Sequence, residues 1–267
     1  MPNTHQLEPG REISLQDILT QGKKLQPDRT AAEAEFLTLR QEFTELQSRL
    51  YAEGRYKLLI LFQAIDAGGK DGTIRNVLRG VSPQGVRVTS FKKPSAEELA
   101  HDFLWRIHRA VPATGMIGMF NRSHYEDVLV VRVDQLVPED VWQARYEQIN
   151  QFELFLHDTG TTLLKFYLHI SKKEQKKRFK ERLKYPEKQW KFDLGDLEKR
   201  KQWDAYKAAF EAMLNRCTTD WAPWHVIPAD QKWYRNLAVM RTIVDRLRQL
   251  NPQFPPPDEG LDQLEIN

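Results

Sequence analysis

The sequence predicts an α/β fold, a three-layer α/β/α arrangement around a central parallel sheet. Three observations predict it. The run Lys57-Leu58-Leu59-Ile60-Leu61-Phe62-Gln63 is continuously apolar at strand length, which suits a strand covered on both faces. Strand candidates then alternate with helix candidates to the end of the chain, the pattern of parallel strands joined by crossover helices. The first strand also runs into a Gly-rich turn and a helix, a unit that gathers free backbone N–H groups at one point.

Each element follows in order. Residues 1 to about 30 are polar and interrupted by Pro2, Pro9, Gly10, Gly22 and Pro27, which predicts an extended arm. Over 31–51, Phe36, Leu39, Phe43, Leu46 and Leu50 recur in steps of three and four, one apolar stripe of a helix. Gly54 and Gly68-Gly69 bracket the first strand at 57–63. A helix is expected at 74–79 and a second strand at 86–91. The capping box Ser95-Ala96-Glu97-Glu98 opens a helix reaching residue 109. A third strand at 115–120 and a helix at 138–158 follow, then a fourth strand at 162–170. Ser171-Lys172-Lys173-Glu174 is a second capping box and starts a long basic helix. A short strand at 224–229 and a helix at 236–250 complete the core, and the proline-rich tail at 251–267 is expected to be non-helical. Nothing marks a linker between two comparable domains. The expectation is one domain, 31–250, with a helical insert at about 171–222 packed together by Trp190, Phe192, Trp203, Tyr206 and Phe210.

Composition narrows the function classes. With 267 residues, 40% hydrophobic and 29% charged, the chain reads as an ordinary soluble protein able to bury a core without staples. A single cysteine, Cys217, excludes an intramolecular disulfide and a cysteine zinc cluster, and the seven histidines lack ligand spacing. The longest apolar run, 58–62, is far too short to span a membrane, and the first residues lack a targeting pattern. A cytoplasmic protein without a membrane partner is expected. The net charge is only +3, yet residues 172–191 hold ten lysines and arginines against three glutamates, a local +7. Such a run is usually a solvated face. Beside a phosphate loop it reads better as a lid over a polyanion, with Arg178 and Arg182 one helical turn apart. Neither an aromatic-interleaved RNA motif nor a helix–turn–helix is present, so no nucleic-acid partner is expected.

Two motifs carry chemistry. Ala64-Ile65-Asp66-Ala67-Gly68-Gly69-Lys70-Asp71 partly matches the pattern G-x-x-x-x-G-K-[ST]: Ala64 stands for the first glycine and Asp71 for the hydroxyl residue. Glycines let a phosphate approach the backbone, and Lys70 adds charge. Asp66 inside the loop would repel phosphate, which makes sense if it holds Mg²⁺. The second motif, Phe120-Asn121-Arg122-Ser123-His124-Tyr125-Glu126-Asp127, follows the third strand and should reach the same crevice. There Arg122 can clamp phosphate, Glu126 or Asp127 can hold metal or position an acceptor, and His124 reads as a hydrogen-bonding side chain.

Asp66-Ala67-Gly68-Gly69-Lys70-Asp71-Gly72 and Phe120 to Val133 resemble the Walker A and Walker B regions of the family-2 polyphosphate kinases. The resemblance continues through Tyr185-Pro186-Glu187-Lys188, Trp190-Lys191-Phe192, Gly195-Asp196-Leu197, Ala222-Pro223-Trp224 and Trp233-Tyr234-Arg235, over roughly 30–255. It implies a P-loop kinase-like fold with a helical lid, polyphosphate as phosphoryl donor, Mg²⁺ (or Mn²⁺ in its place) as cofactor, and a homo-oligomer, dimer or tetramer. Carried over by position, Asp66 binds metal and Lys70 the loop phosphates, within the cradle Ala67, Gly68, Gly69, Asp71 and Gly72. Arg122 and Arg132 face the transferring phosphate, and Arg178 and Arg182 meet polyphosphate from the lid. Asn121 replaces the acid that many relatives carry, as in the class III branch acting on nucleoside mono- and diphosphates. AMP and ADP are then the acceptors, with guanine nucleotides as alternatives, and Asn121, Arg122 and Glu126 contact the nucleotide. Asn121, Glu126 and Asp127 all remain candidates to complete the metal site, with Asp127 the expectation. The rivals are an ATP-dependent nucleoside monophosphate kinase, disfavoured by the basic insert and the missing hydroxyl, and a non-catalytic polyanion-binding protein, disfavoured by carboxylates among the phosphate ligands.

Overall fold

Strands β1 (Lys57–Gln63), β2 (Val86–Ser90), β3 (Ile117–Asn121), β4 (Thr161–His169) and β5 (Trp224–Pro228) form one parallel sheet. The order is β2-β3-β1-β4-β5. The computed structural model describes residues 5–259. Leu58 through Phe62 are fully buried, so β1 is covered on both faces as its solid apolar run requires.

Helix α1 (Arg29–Glu53) starts where the Asp28 carboxylate accepts from the Ala31 N–H at 2.9 Å, and it ends at Gly54 in the left-handed conformation. Helices α2 (Lys70–Val77), α3 (Ala96–Leu99), α4 (Trp105–His108), α5 (Val130–Val133) and α6 (Glu139–Asp158) follow. The insert comprises α7 (Lys172–Lys184), α8 (Pro186–Gln189), α9 (Gly195–Lys201) and α10 (Trp203–Arg216), and α11 (Lys232–Leu250) closes the core. α1 and α2 pack on α11, whereas α6 and α10 pack against α5, which leaves two helical groups to cover the sheet. Among the described residues, no helix is long and apolar enough to cross a membrane.

Three differences from the sequence reading have local causes. The helix expected from 95 to 109 is broken into α3 and α4. Its capping box forms, with Ser95 Oγ accepting from Glu98 N–H and Glu98 Oε2 from Ser95 N–H. The Asp102 carboxylate then takes the Leu104 N–H at 2.9 Å, a side-chain bond that competes with the helical ladder. The insert aromatics do not pack as one set: Tyr206 and Phe210 join the core, but Trp190 is 78% exposed. The residues of the expected extended arm that are described pack on the domain. Leu7 N–H donates to Trp224 O and Val226 N–H to His5 O, so the arm pairs with the outer edge of β5. Gly22 lies against the Tyr234 ring, where any Cβ would collide with it. Residues 251–259 form no helix or strand, as expected. The first four residues of the arm and the last eight of the tail lie outside the described residues.

Candidate active site

β1 has β3 on one side and β4 on the other, so the crossovers leave it in opposite directions and open a crevice at its carboxyl end. The register sets Ser90, Asn121 and Phe62 abreast at that end. The chain continues from them into Phe91, Arg122 and the loop 64–69, which therefore face one another.

The loop takes its shape from two left-handed residues, Ala67 (φ 61°) and Gly69 (φ 105°). Gly69 caps α2 at a φ that side-chain-bearing residues rarely adopt, and the Arg235 guanidinium fills the space a Cβ would take. Arg178 holds the loop from behind: its Nη1 donates to Ala67 O and Gly68 O, both at 2.9 Å, and its Nη2 to Ala229 O at 2.5 Å. Gln175 Nε2 donates to Asp66 O at 2.9 Å. With these carbonyls engaged, an anion arriving in front meets the free N–H groups and positive end of α2.

Around that point the side chains interlock. Lys70 Nζ donates to Ala64 O at 2.9 Å. Burial, then Arg122, lower its pKa to about 8, against the pull of Asp66, Glu126 and Asp71. Asn121 Nδ2 donates to Asp71 Oδ1 at 2.5 Å. Arg122, itself left-handed at φ 64°, bridges two carboxylates: Nη2 to Asp66 Oδ1 at 3.2 Å and Nη1 to Glu126 Oε2 at 3.6 Å. Glu126 and Asp66 raise its pKa against the effect of burial. From the insert, Lys199 Nζ approaches Asp66 Oδ2 at 3.7 Å.

The structure brings Asp66, Lys70, Asp71, Asn121, Arg122 and Glu126 together, but not Asp127 or Arg132. Asp127 turns to α6, where Arg145 Nη1 donates to its carboxylate at 2.8 Å. Burial pushes its pKa up to about 6 despite Arg145. Glu126, not Asp127, lines the small cavity containing Asp66. Arg132 donates to the Tyr146 hydroxyl at 3.2 Å and lies over the Trp142 ring. Asp66 and Glu126 are hard oxygen donors on one cavity, a set that suits a small dication completed by phosphate oxygens and water. Among the described residues no group of three or more acids, histidines and cysteines forms a protein-only cage.

Beneath the second motif lies a buried polar network. Lys165 Nζ donates to Glu153 Oε2 (2.6 Å), Tyr125 Oη (2.8 Å) and Cys217 O (2.6 Å). Glu153 Oε1 also accepts from Tyr125 Oη at 2.8 Å and pairs with His124 Nε2 at 3.1 Å. These contacts fix the turn that presents Arg122 and Glu126.

Two clefts meet at the loop. One, of about 360 Å³, is lined by Asp66, Lys70, Asn121 and Arg122 together with Lys92, Lys93 and Arg182. The other, of about 420 Å³, runs between the insert and α11 past Arg75, Arg178, Arg182, Lys188, Lys232 and Arg235, with Trp190 its one aromatic. Arg235 is buried beside Arg178, and burial and that neighbour lower its pKa to about 9. Arg182 lines both clefts and is held by Lys191 O and Asp196. The sequence reading missed Lys92, Lys93, Lys199, Lys232 and Arg235. Lys92-Lys93 directly follow the second strand and could have been found by the carboxyl-end rule. Arg235 lies in the segment Trp233-Tyr234-Arg235 that carries the family resemblance, but neither it nor Lys199 and Lys232 shows locally that it reaches the loop, since only the tertiary fold brings them there.

The family model described as polyphosphate kinase 2 matches residues 26–255. The chain is 52% identical over 252 residues to the AMP/ADP-polyphosphate phosphotransferase of Meiothermus ruber, covering 91% of this chain and 94% of that one. It is 46% identical to the ADP-polyphosphate phosphotransferase of Rhodopseudomonas palustris, over 80% of this chain and 78% of its relative. The crystal structure of polyphosphate kinase 2 from Arthrobacter aurescens TC1 superposes with a TM-score of 0.91 at 39% identity, covering 98% of this chain and 92% of that one.

Proposed function

Because the chain belongs to the polyphosphate kinase 2 family, we propose that it moves a phosphoryl group from polyphosphate to AMP and ADP by direct in-line transfer. The observation that carries this reading is the pair of basic clefts sharing one phosphate loop. The cleft between insert and α11 is lined by seven lysines and arginines against three acids, a positive excess that suits a bare phosphate chain as donor. The acceptor's phosphates enter the cleft of Lys70, Lys92, Lys93 and Arg122.

In this reading the α2 N-terminus and Lys70 hold the phosphoryl being moved, and Arg122 turns from its carboxylates to the charge developing on it. The transition state is loose, so alignment and charge supply the rate rather than a covalent intermediate. Asp66 and Glu126 would hold Mg²⁺, or Mn²⁺ in its place, which when bound neutralises phosphate charge. Arg182, between the two clefts, belongs to a lid that keeps water from the phosphoryl group. Adenine nucleotides, a cytoplasmic location and a homo-oligomer complete the reading by family likeness.

The test is incubation with AMP, Mg²⁺ and long-chain polyphosphate, with products followed by chromatography. ADP and ATP both appear, and neither forms without polyphosphate. Transfer seen only when ATP replaces polyphosphate would leave an ordinary nucleotide kinase. Salt-dependent binding of polyphosphate without turnover would leave a binding protein.

A further inference from the structure

Lys199 reaches from α9 to the phosphate loop. Its Nζ stands 3.7 Å from Asp66 Oδ2 while Arg122 Nη2 holds Oδ1 at 3.2 Å, so each oxygen of this carboxylate faces a protein cation. The acids of α9 itself are engaged elsewhere, Asp196 with Arg182 and Glu198 with Lys201. Lys199 lines the small cavity that also contains Asp66, Arg122, Glu126 and Tyr206. The Tyr206 hydroxyl is buried there with no hydrogen-bond partner. A second polar group thus faces the same carboxylates without being satisfied by the protein.

The two cations on Asp66 are not held alike. Arg122 is pinned by a second carboxylate, Glu126, and by the backbone at the end of β3, where its N–H donates to Phe62 O at 3.1 Å. Lys199 is a point charge on a flexible stem, partly exposed, and beyond hydrogen-bond distance. A dication arriving at Asp66 would repel the ammonium and displace it. The released ammonium would lie in a crevice whose other carboxylates are already engaged, Glu126 by Arg122, Asp71 by Asn121 and Asp196 by Arg182, which leaves the substrate phosphates as its partners.

We propose that Lys199 is a further functional residue of the reaction: it neutralises Asp66 until a divalent cation takes that carboxylate, then turns to the phosphates. This rests on the reading of Asp66 as the metal-binding residue. Metal affinity and turnover are then coupled with opposite sign at this position. Removing the ammonium frees Asp66 for metal but withdraws a charge from the transferring phosphoryl group.

The experiment uses the full chain and measures Mn²⁺ binding by electron paramagnetic resonance at low ionic strength, with kcat measured in parallel. Lys199→Met binds Mn²⁺ roughly fivefold or more tightly than the unchanged protein. Its kcat falls on the order of 10²-fold, by analogy with loss of one preorganised group. Lys199→Arg keeps both values near those of the unchanged protein, and Lys201→Met, altering an exposed neighbour, moves neither. A general loosening of the lid would weaken metal binding and turnover together, so the opposed shifts are the signature. Mn²⁺ affinity unchanged or weakened in Lys199→Met overturns the proposal, as does tighter binding with unchanged kcat. Asp66→Asn separates the two readings. If it loses Mn²⁺ while Lys199→Met behaves as the unchanged protein, only the role of Lys199 fails. If it binds Mn²⁺ normally, the metal reading fails and the Lys199 proposal with it.

Discussion

Lys70 carries its charge where the loop makes that hardest. Burial and Arg122 bring its pKa to about 8, so the free protein holds the ammonium below that value and loses it as pH rises. A phosphate needs that charge, and kcat/KM reports the free enzyme, so kcat/KM for ADP falls on the alkaline side with an apparent pKa near 8. Lys70→Ala lowers kcat by ~10²–10³ and flattens that alkaline limb. A folded variant retaining both the rate and the limb would remove Lys70 from the reaction. The residues of the loop were legible because a contiguous motif keeps them together whatever the rest of the chain does. The choice between Glu126 and Asp127 was not. Both lie in a 3₁₀ turn, where successive side chains point about 120° apart, so one reaches Asp66 and the next reaches Arg145.

At the scale of elements, α6 and β4 hold the second motif through one buried charge pair. Burial alone would raise the Glu153 pKa, but Lys165 and His124 outweigh it and hold the group below its ordinary value. The stabilisation is therefore present above the ordinary glutamate pKa and is lost as pH falls through the lower folded value. Lys165→Met leaves Glu153 buried without its partner, and unfolding by denaturant should show a loss of about 3–5 kcal/mol. A loss within experimental error would mean that the network is dispensable. The sequence shows Lys165 inside an apolar strand and Glu153 on a helix, but not that they meet. The basic helix α7 was legible by charge, while the role of one member was not. Arg178, expected to meet polyphosphate, lines the cleft between insert and α11 and also has a role no local signal announces: four bonds to carbonyls of the loop and the β5 end.

Over the whole molecule, the arm ties the β5 edge to α10. Glu211 accepts from Leu15 N–H at 2.7 Å and Ser14 Oγ at 3.2 Å, and Leu15 is buried in the core. Glu211→Ala costs ~1–3 kcal/mol. Limited proteolysis under native conditions should then cut near residues 14–25 faster, and an unchanged cleavage pattern would show that the arm is held by other contacts. The sequence read this segment as extended because polar, proline-broken stretches carry no periodic signal, and docking depends on partners two hundred residues away. By itself the sequence determined the parallel α/β core, the phosphate loop and the basic insert, since apolar runs, glycine spacing and charge density act locally and survive in any arrangement. Only the tertiary structure decided which carboxylate joins Asp66, that Arg178 supports the loop, and that Lys199, Lys232 and Arg235 surround it. Those roles depend on direction and distance between elements remote in sequence, and neither quantity is written in the order of residues along the chain.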